Sequence, residues 1–114
     1  MLEHTIKRVF VLRFQVDLRK GAGSLTALMY KLNLNPYHGD CAVCLNRRGV
    51  AVKILCGDAL GVWLLERRYE GGRLQSPWAF LADPTTIEIT VPQLSMILEG
   101  SSFAITHTAR PYRR

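Results

Sequence analysis

Between residues 41 and 78 the chain is cut by turn signals into short apolar segments, a punctuation that few folds accommodate. "CAVCL" runs through "NRRG" into "VAVKILC", a four-residue connection ending in glycine that reads as a hairpin. "GDALG" then bends the chain into "VWLLERRY", and "EGG" turns it again into "RLQSPW". Three or four antiparallel strands in a meander are the expected arrangement. Upstream, residues 9–16 alternate, with Phe10, Leu12, Phe14 and Val16 on one face and Arg13 and Gln15 on the other, the pattern of a half-buried strand. Beyond a loop through Asp83-Pro84, "TIEI" alternates as a further short strand.

Two segments change to the helical period. Leu25, Leu28, Met29 and Leu32 share one stripe while Lys31 points away, with Ser24 or Asp17 as candidate N-caps. Gly21 and Gly23 favour a loop or loose first turn over a rigid helix from Leu18, and Asn35, Pro36 and Gly39 in "NLNPYHGD" end the helix. The second helix spans about residues 91–99: Thr90 and Gln93 have capping-box spacing, Pro92 sits in the first turn, Leu94, Ile97 and Leu98 form the apolar stripe, and Gly100 is the stop. The expected fold class is α+β, a small antiparallel meander sheet packed with two helices. At 114 residues and 48% hydrophobic composition, the chain supports one core and not two. The expected organisation is a single compact domain over residues 1–103 and a flexible basic tail over residues 104–114.

The longest apolar stretch, "ILCGDALGVWLL", is interrupted by Asp58 and two glycines and falls short of the roughly 20 residues a membrane-spanning helix needs. The opening "MLEHTIKRVFVLRFQV" brackets a very short apolar run between Arg8 and Arg13, unlike a secretory signal. A cytoplasmic protein with no membrane partner is expected.

The formal charge of +6 points toward an anionic partner. Arg110, Arg113 and Arg114 in the tail carry half of that excess. Elsewhere the bases come as doublets, Lys7-Arg8, Arg19-Lys20, Arg47-Arg48 and Arg67-Arg68, with Arg73 close behind. Doublets at turns suit phosphate contacts, although a solvated face is the commoner explanation on charge alone.

His38, Cys41, Cys44 and Cys56 have the residue types of a zinc site, but a strand over residues 41–45 sends Cys41 and Cys44 to opposite faces. Core cysteines, with neither metal nor disulfide, are the expectation. No three carboxylates have the spacing of a divalent-metal nuclease; Asp58, directly after an apolar strand, is the one acid to weigh against a simple turn role. "RKGAGS" departs from a phosphate loop because Lys20 precedes the glycines, and no cofactor is expected. What survives is a helix start near Ser24, with Arg19 and Lys20 beside it, able to accept one phosphate of a nucleic-acid backbone.

In order along the chain, "VDLRKGAGSLTAL", "NRRGVAVKIL", "GDALGVWLLERRYEGGRL" and "TVPQLSMILEG" resemble the TnpB accessory proteins of insertion-sequence family sixty-six, also called Orf2-like proteins. The resemblance covers about residues 9–103. The family's Val-Asp-Met-Arg-Lys-Gly is matched by Val16 to Gly21, with Leu18 in the methionine's place. Its Arg-Arg-Gly turn and following lysine are matched by Arg47, Arg48, Gly49 and Lys53, its Asp and Gly before an aromatic strand by Asp58 and Gly61, and its Lys-Arg-Leu-Glu-x-Gly by Arg67, Arg68, Tyr69, Glu70 and Gly72. Where the family commonly has tryptophans before the Asp, this chain has Cys56 and Gly57, and where it has an Asp-Arg pair this chain has Val50 and Ala51.

The resemblance implies a non-enzymatic role in bacterial DNA transposition beside a separate, larger transposase that carries the catalytic acids. Binding of the element's DNA ends, of that transposase, or of both is the expected activity; the alternative is a pure protein-interaction subunit with no DNA contact. DNA contacts are expected from Arg19, Lys20, Arg47, Arg48, Lys53, Arg67, Arg68 and Arg73, with Asp17, Gly21, Asp58 and Gly61 as structural signature positions.

Overall fold

The computed structural model describes residues 6–17, 19–45, 51–69 and 85–99. It contains strands β1 (Arg8–Leu12), β2 (Asp40–Leu45), β3 (Ala51–Asp58), β4 (Gly61–Arg68) and β5 (Thr86–Ile89). Among the described residues there are also helices α1 (Ala22–Lys31) and α2 (Val91–Leu98) and a 3₁₀ turn (Pro36–His38). The strands form one sheet in the order β4-β3-β2-β1-β5. The α+β class and mostly antiparallel sheet agree with the sequence reading. The expected strand "RLQSPW", the turn residues of "NRRG", the loop through Asp83-Pro84, the stop at Gly100 and the tail lie outside the described residues.

β2, β3 and β4 form the expected antiparallel meander. A feature beyond that expectation is that β1 runs parallel to β2, pairing Arg8 with Asp40 and Val11 with Val43, while β5 pairs antiparallel on its other side. Parallel neighbours need a long crossover, which residues 13–39 supply with α1 inside it. β1 is therefore interior and buried on both faces, which corrects the half-buried strand over residues 9–16. Val9 and Val11 pack on one face and Phe10 and Leu12 on the other. The strand ends at Leu12, and Val16 reaches the core from the crossover.

The sheet is a middle layer. On one side Val9, Val11, Val43, Val52, Ile54, Ile87 and Ile89 meet Leu94 and Ile97 of α2. On the other, Phe10, Leu12, Ala42 and Leu55 meet Leu25 and Met29 of α1. Such a double-sided core explains why β2 and β3 read as continuous apolar runs instead of alternating.

α1 starts after Gly21, which occupies the N-cap without a side-chain hydrogen bond, so neither Ser24 nor Asp17 caps it. Ser24 already lies within the helix, and the Asp17 carboxylate is taken by the Arg19 backbone N–H at 2.9 Å. At the far end Asn33 adopts φ 64°, its N–H reaching Tyr30 O and the Leu34 N–H reaching Met29 O at 2.8 Å. This is the Schellman arrangement, sealed by the buried Leu34 and Met29 side chains. α2 opens on the expected capping box: the Gln93 N–H donates to Thr90 Oγ1 at 3.2 Å and the Thr90 N–H to Gln93 Oε1 at 2.9 Å.

The β1–β2 pair is stapled at its start. Arg8 donates from Nε and Nη2 to the Asp40 carboxylate at 2.9 and 3.0 Å, and the Asn35 N–H donates to the same carboxylate at 2.8 Å. No described helix is long and apolar enough to cross a membrane.

Candidate anion-binding groove

Three chain segments that are distant in sequence meet on the α1 side of the sheet. Lys53 is the one basic residue in the largely apolar strand β3, and its neighbours in register are Cys44 on β2 and Glu66 on β4. Residues paired directly across an antiparallel ladder share a face, so Lys53 and Glu66 emerge together. Arg68, two positions on, joins them and lies 3.2 Å from Glu66. The crossover after β1 brings in Gln15, Asp17 and Arg19 from above. With Val16 these side chains line a cavity of about 760 Å³.

Each outer arginine is held by a carboxylate. Arg19 meets Asp17 through Nε and Nη2, both at 3.0 Å. This fork holds the Asp17 carboxyl down at about 2 and raises Arg19. Both Arg19 and Arg68 are open to solvent, their side chains 91% and 72% exposed. Lys53 differs: it is only 7% exposed, and its Nζ donates to the Lys20 backbone carbonyl at 3.0 Å. That bond ties the crossover to the sheet and points the ammonium at the cavity, leaving protons for a further acceptor.

The remaining candidate residues fall elsewhere. The Lys20 side chain is exposed beside the groove. Arg67 lies on the opposite face of β4 from Arg68, as strand alternation requires. There its Nη1 donates to Leu98 O at 3.0 Å, joined by Tyr69 Oη at 3.1 Å, and its guanidinium sits 5.1 Å from the Tyr69 ring centroid. Arg67 thus serves the C-terminus of α2. Arg47, Arg48 and Arg73 lie outside the described residues.

The signature positions separate into two groups. Asp17 enters the groove and Gly21 stands at the start of α1. Asp58 and Gly61 face each other at the other end of the β3–β4 ladder, where Asp58 Oδ1 accepts the Leu60 N–H at 2.9 Å. Asp58 is therefore a turn-forming carboxylate. The neighbouring Gly57 is spatially constrained: a Cβ there would stand 2.5 Å from Gly61 O and 3.2 Å from Pro36 O.

The three cysteines are free and buried. Cys41 and Cys44 face opposite layers, as expected, with Cys56 on the Cys41 side. Burial pushes the Cys44 thiol up to about 12. A hydrogen bond from Cys41 to Cys56 raises the former and lowers the latter. Among the described residues no three His, Cys, Asp or Glu side chains are grouped to hold a metal ion.

Sequence reasoning overlooked Glu66 and Gln15 in the groove and the Asp40 anchor of Arg8. Alternation along "WLLERRY" was the available signal for Glu66 and Arg68 on one side and Arg67 on the other. For Lys53, the signal was a charge inside an otherwise apolar strand.

A search of curated proteins and one of solved structures each return no match. Residues 7–108 match the family model TnpB_IS66, described as IS66 Orf2 like protein, a span that takes in the groove, the sheet and both helices. The chain therefore belongs to the IS66 Orf2-like family of TnpB accessory proteins, part of the transposition machinery of that insertion-sequence group.

Proposed function

We propose that this protein is a non-catalytic transposition factor that grips nucleic-acid phosphates through the groove and acts beside the element's separate, catalytic transposase. The observation that carries this reading is the convergence of Arg19, Lys53 and Arg68, from three different elements, on one cavity. Cations positioned by sheet and crossover make preformed donors to phosphate oxygens. Lys20 adds charge at the rim. Arg47 and Arg48 are assigned to the same contact on charge and on the family motif alone. Arg73 joins them on charge alone.

The test is affinity for the element's terminal DNA as a function of salt. Replacing both Arg19 and Arg68 by Ala should flatten the slope of log K against log salt by about two units, since each neutralised phosphate contributes about 0.9. Absence of binding at low salt would refute the DNA contact.

A second reading, a protein-interaction subunit docked on the transposase, is favoured by Trp63 and Leu65. These stand 54% and 37% exposed on the other face of β4. On that reading Trp63→Ser abolishes transposase capture and leaves the salt slope unchanged.

A further inference from the structure

The groove has a property that plain backbone binding does not require: its outer cations are already occupied. Asp17 fills the fork of Arg19 with two hydrogen bonds at 3.0 Å, and Glu66 lies 3.2 Å from Arg68. A bridging phosphodiester carries one negative charge, as each of these carboxylates does. A phosphodiester that displaces or joins such a carboxylate therefore gains less at each arginine than a doubly charged group does. A terminal phosphomonoester is different, carrying about −1.5 to −2 charges at neutral pH and three strong acceptor oxygens.

Shape points the same way. The groove is open on one side, and its space of about 760 Å³ is enough to seat a nucleotide-sized ligand. A duplex backbone is convex and meets a protein along a stripe, whereas a strand end can enter a concavity. The deep cation is Lys53, nine-tenths buried, with one proton on Lys20 O at 3.0 Å and the ammonium facing the cavity. Three cations against two carboxylates leave the lining with a net positive charge.

We infer that the cavity binds the terminal phosphate of a nucleic-acid strand, with Lys53 as the inner contact and Arg19 and Arg68 released from Asp17 and Glu66 to close around it. This rests on the nucleic-acid reading proposed above and narrows it to strand ends.

The experiment uses the full chain and one fluorescent single-stranded oligonucleotide in three forms: 5′-phosphorylated, 3′-phosphorylated and hydroxyl at both ends. At least one phosphorylated form should bind about tenfold more tightly than the hydroxyl form, one charge-assisted contact's worth. Arg68→Gln, on an exposed side chain, should erase most of that preference, and Lys53→Met all of it. Equal affinity for the three forms with a steep salt slope would overturn end recognition and leave the DNA-contact reading standing. No binding of any form would overturn both. Inorganic phosphate that displaces the oligonucleotide as effectively as an unlabelled phosphorylated strand would identify a free-anion site and overturn the assignment to strand ends.

Discussion

Arg67 and Arg68 are adjacent in sequence, and the structure predicts opposite consequences for replacing each by Ala. Arg67 donates to Leu98 O at 3.0 Å and sits 5.1 Å from the Tyr69 ring centroid. Removing it forfeits a cation at a helix C-terminus, about 0.3–1 kcal/mol, and an exposed cation–π contact of about 0.5–1 kcal/mol. Leu98 O keeps the Tyr69 hydroxyl at 3.1 Å, so the carbonyl is not orphaned. The expected cost is about 1 kcal/mol, or about 4 °C in melting temperature for a domain of this size. The salt dependence of DNA binding should not change. Arg68→Ala should do the reverse: its 3.2 Å contact with Glu66 is exposed, so stability moves by less than about 0.5 kcal/mol, while the salt slope falls by about 0.9. Urea denaturation and fluorescence anisotropy against salt read the two quantities on the same preparations. Combining Arg67→Ala with Tyr69→Phe removes both of these side-chain donors from Leu98 O, and the pair should cost more than the two single changes added together. If Arg67→Ala flattened the salt slope by about one unit and left the melting temperature untouched, the division of the doublet between two faces would be refuted.

Asp40→Ala should destabilise by about 2–4 kcal/mol in urea denaturation, because the part-buried Asn35 N–H loses its acceptor and Arg8 loses the carboxylate that fills its fork; Asp40→Asn should recover part of that. Gly57→Ala should cost about 3 kcal/mol, since all of its close neighbours, Gly61 O, the Val62 Cα and Pro36 O, are backbone atoms that no rotamer change can move. A melting temperature within a degree of the parent would refute the close approach. Cys44 supplies a pH prediction: its folded thiol, raised to about 12 from 9.0, favours the fold while neutral. That stability is complete below pH 9 and is lost as pH rises from there through about 12. Alkaline unfolding should therefore shift to higher pH in Cys44→Ala relative to its own neutral stability. In the acid range, the carboxyl resonance of Asp17 should titrate near pH 2, and in Arg19→Ala it should return toward 3.8.

Local features were the ones legible in the sequence. The capping box at Thr90 and Gln93 and the antiparallel meander from β2 to β4 depend on residues a few positions apart, and they appear as read. The opposite orientation of Cys41 and Cys44 followed from strand alternation alone. The same rule applied to "ERRY" would have separated Arg67 from Arg68; reading the doublet as a unit of charge hid it. The N-cap of α1 was missed because Asp17 had a competing local partner, the Arg19 N–H, that completes a turn before the helix begins.

Segment lengths, turn positions, helix stripes and the family motif are properties of the amino-acid order, because each is set by interactions within a turn or a hairpin. The placement of β1 beside β2 in parallel is not, since the Arg8–Asp40 pairing spans a crossover whose closure is decided by burial of two apolar faces at once. Nor is the groove. Asp17, Lys53, Glu66 and Arg68 carry no mutual spacing that announces them; the β3–β4 register and the Lys53–Lys20 hydrogen bond bring them together only in the folded sheet, across contacts far apart in sequence.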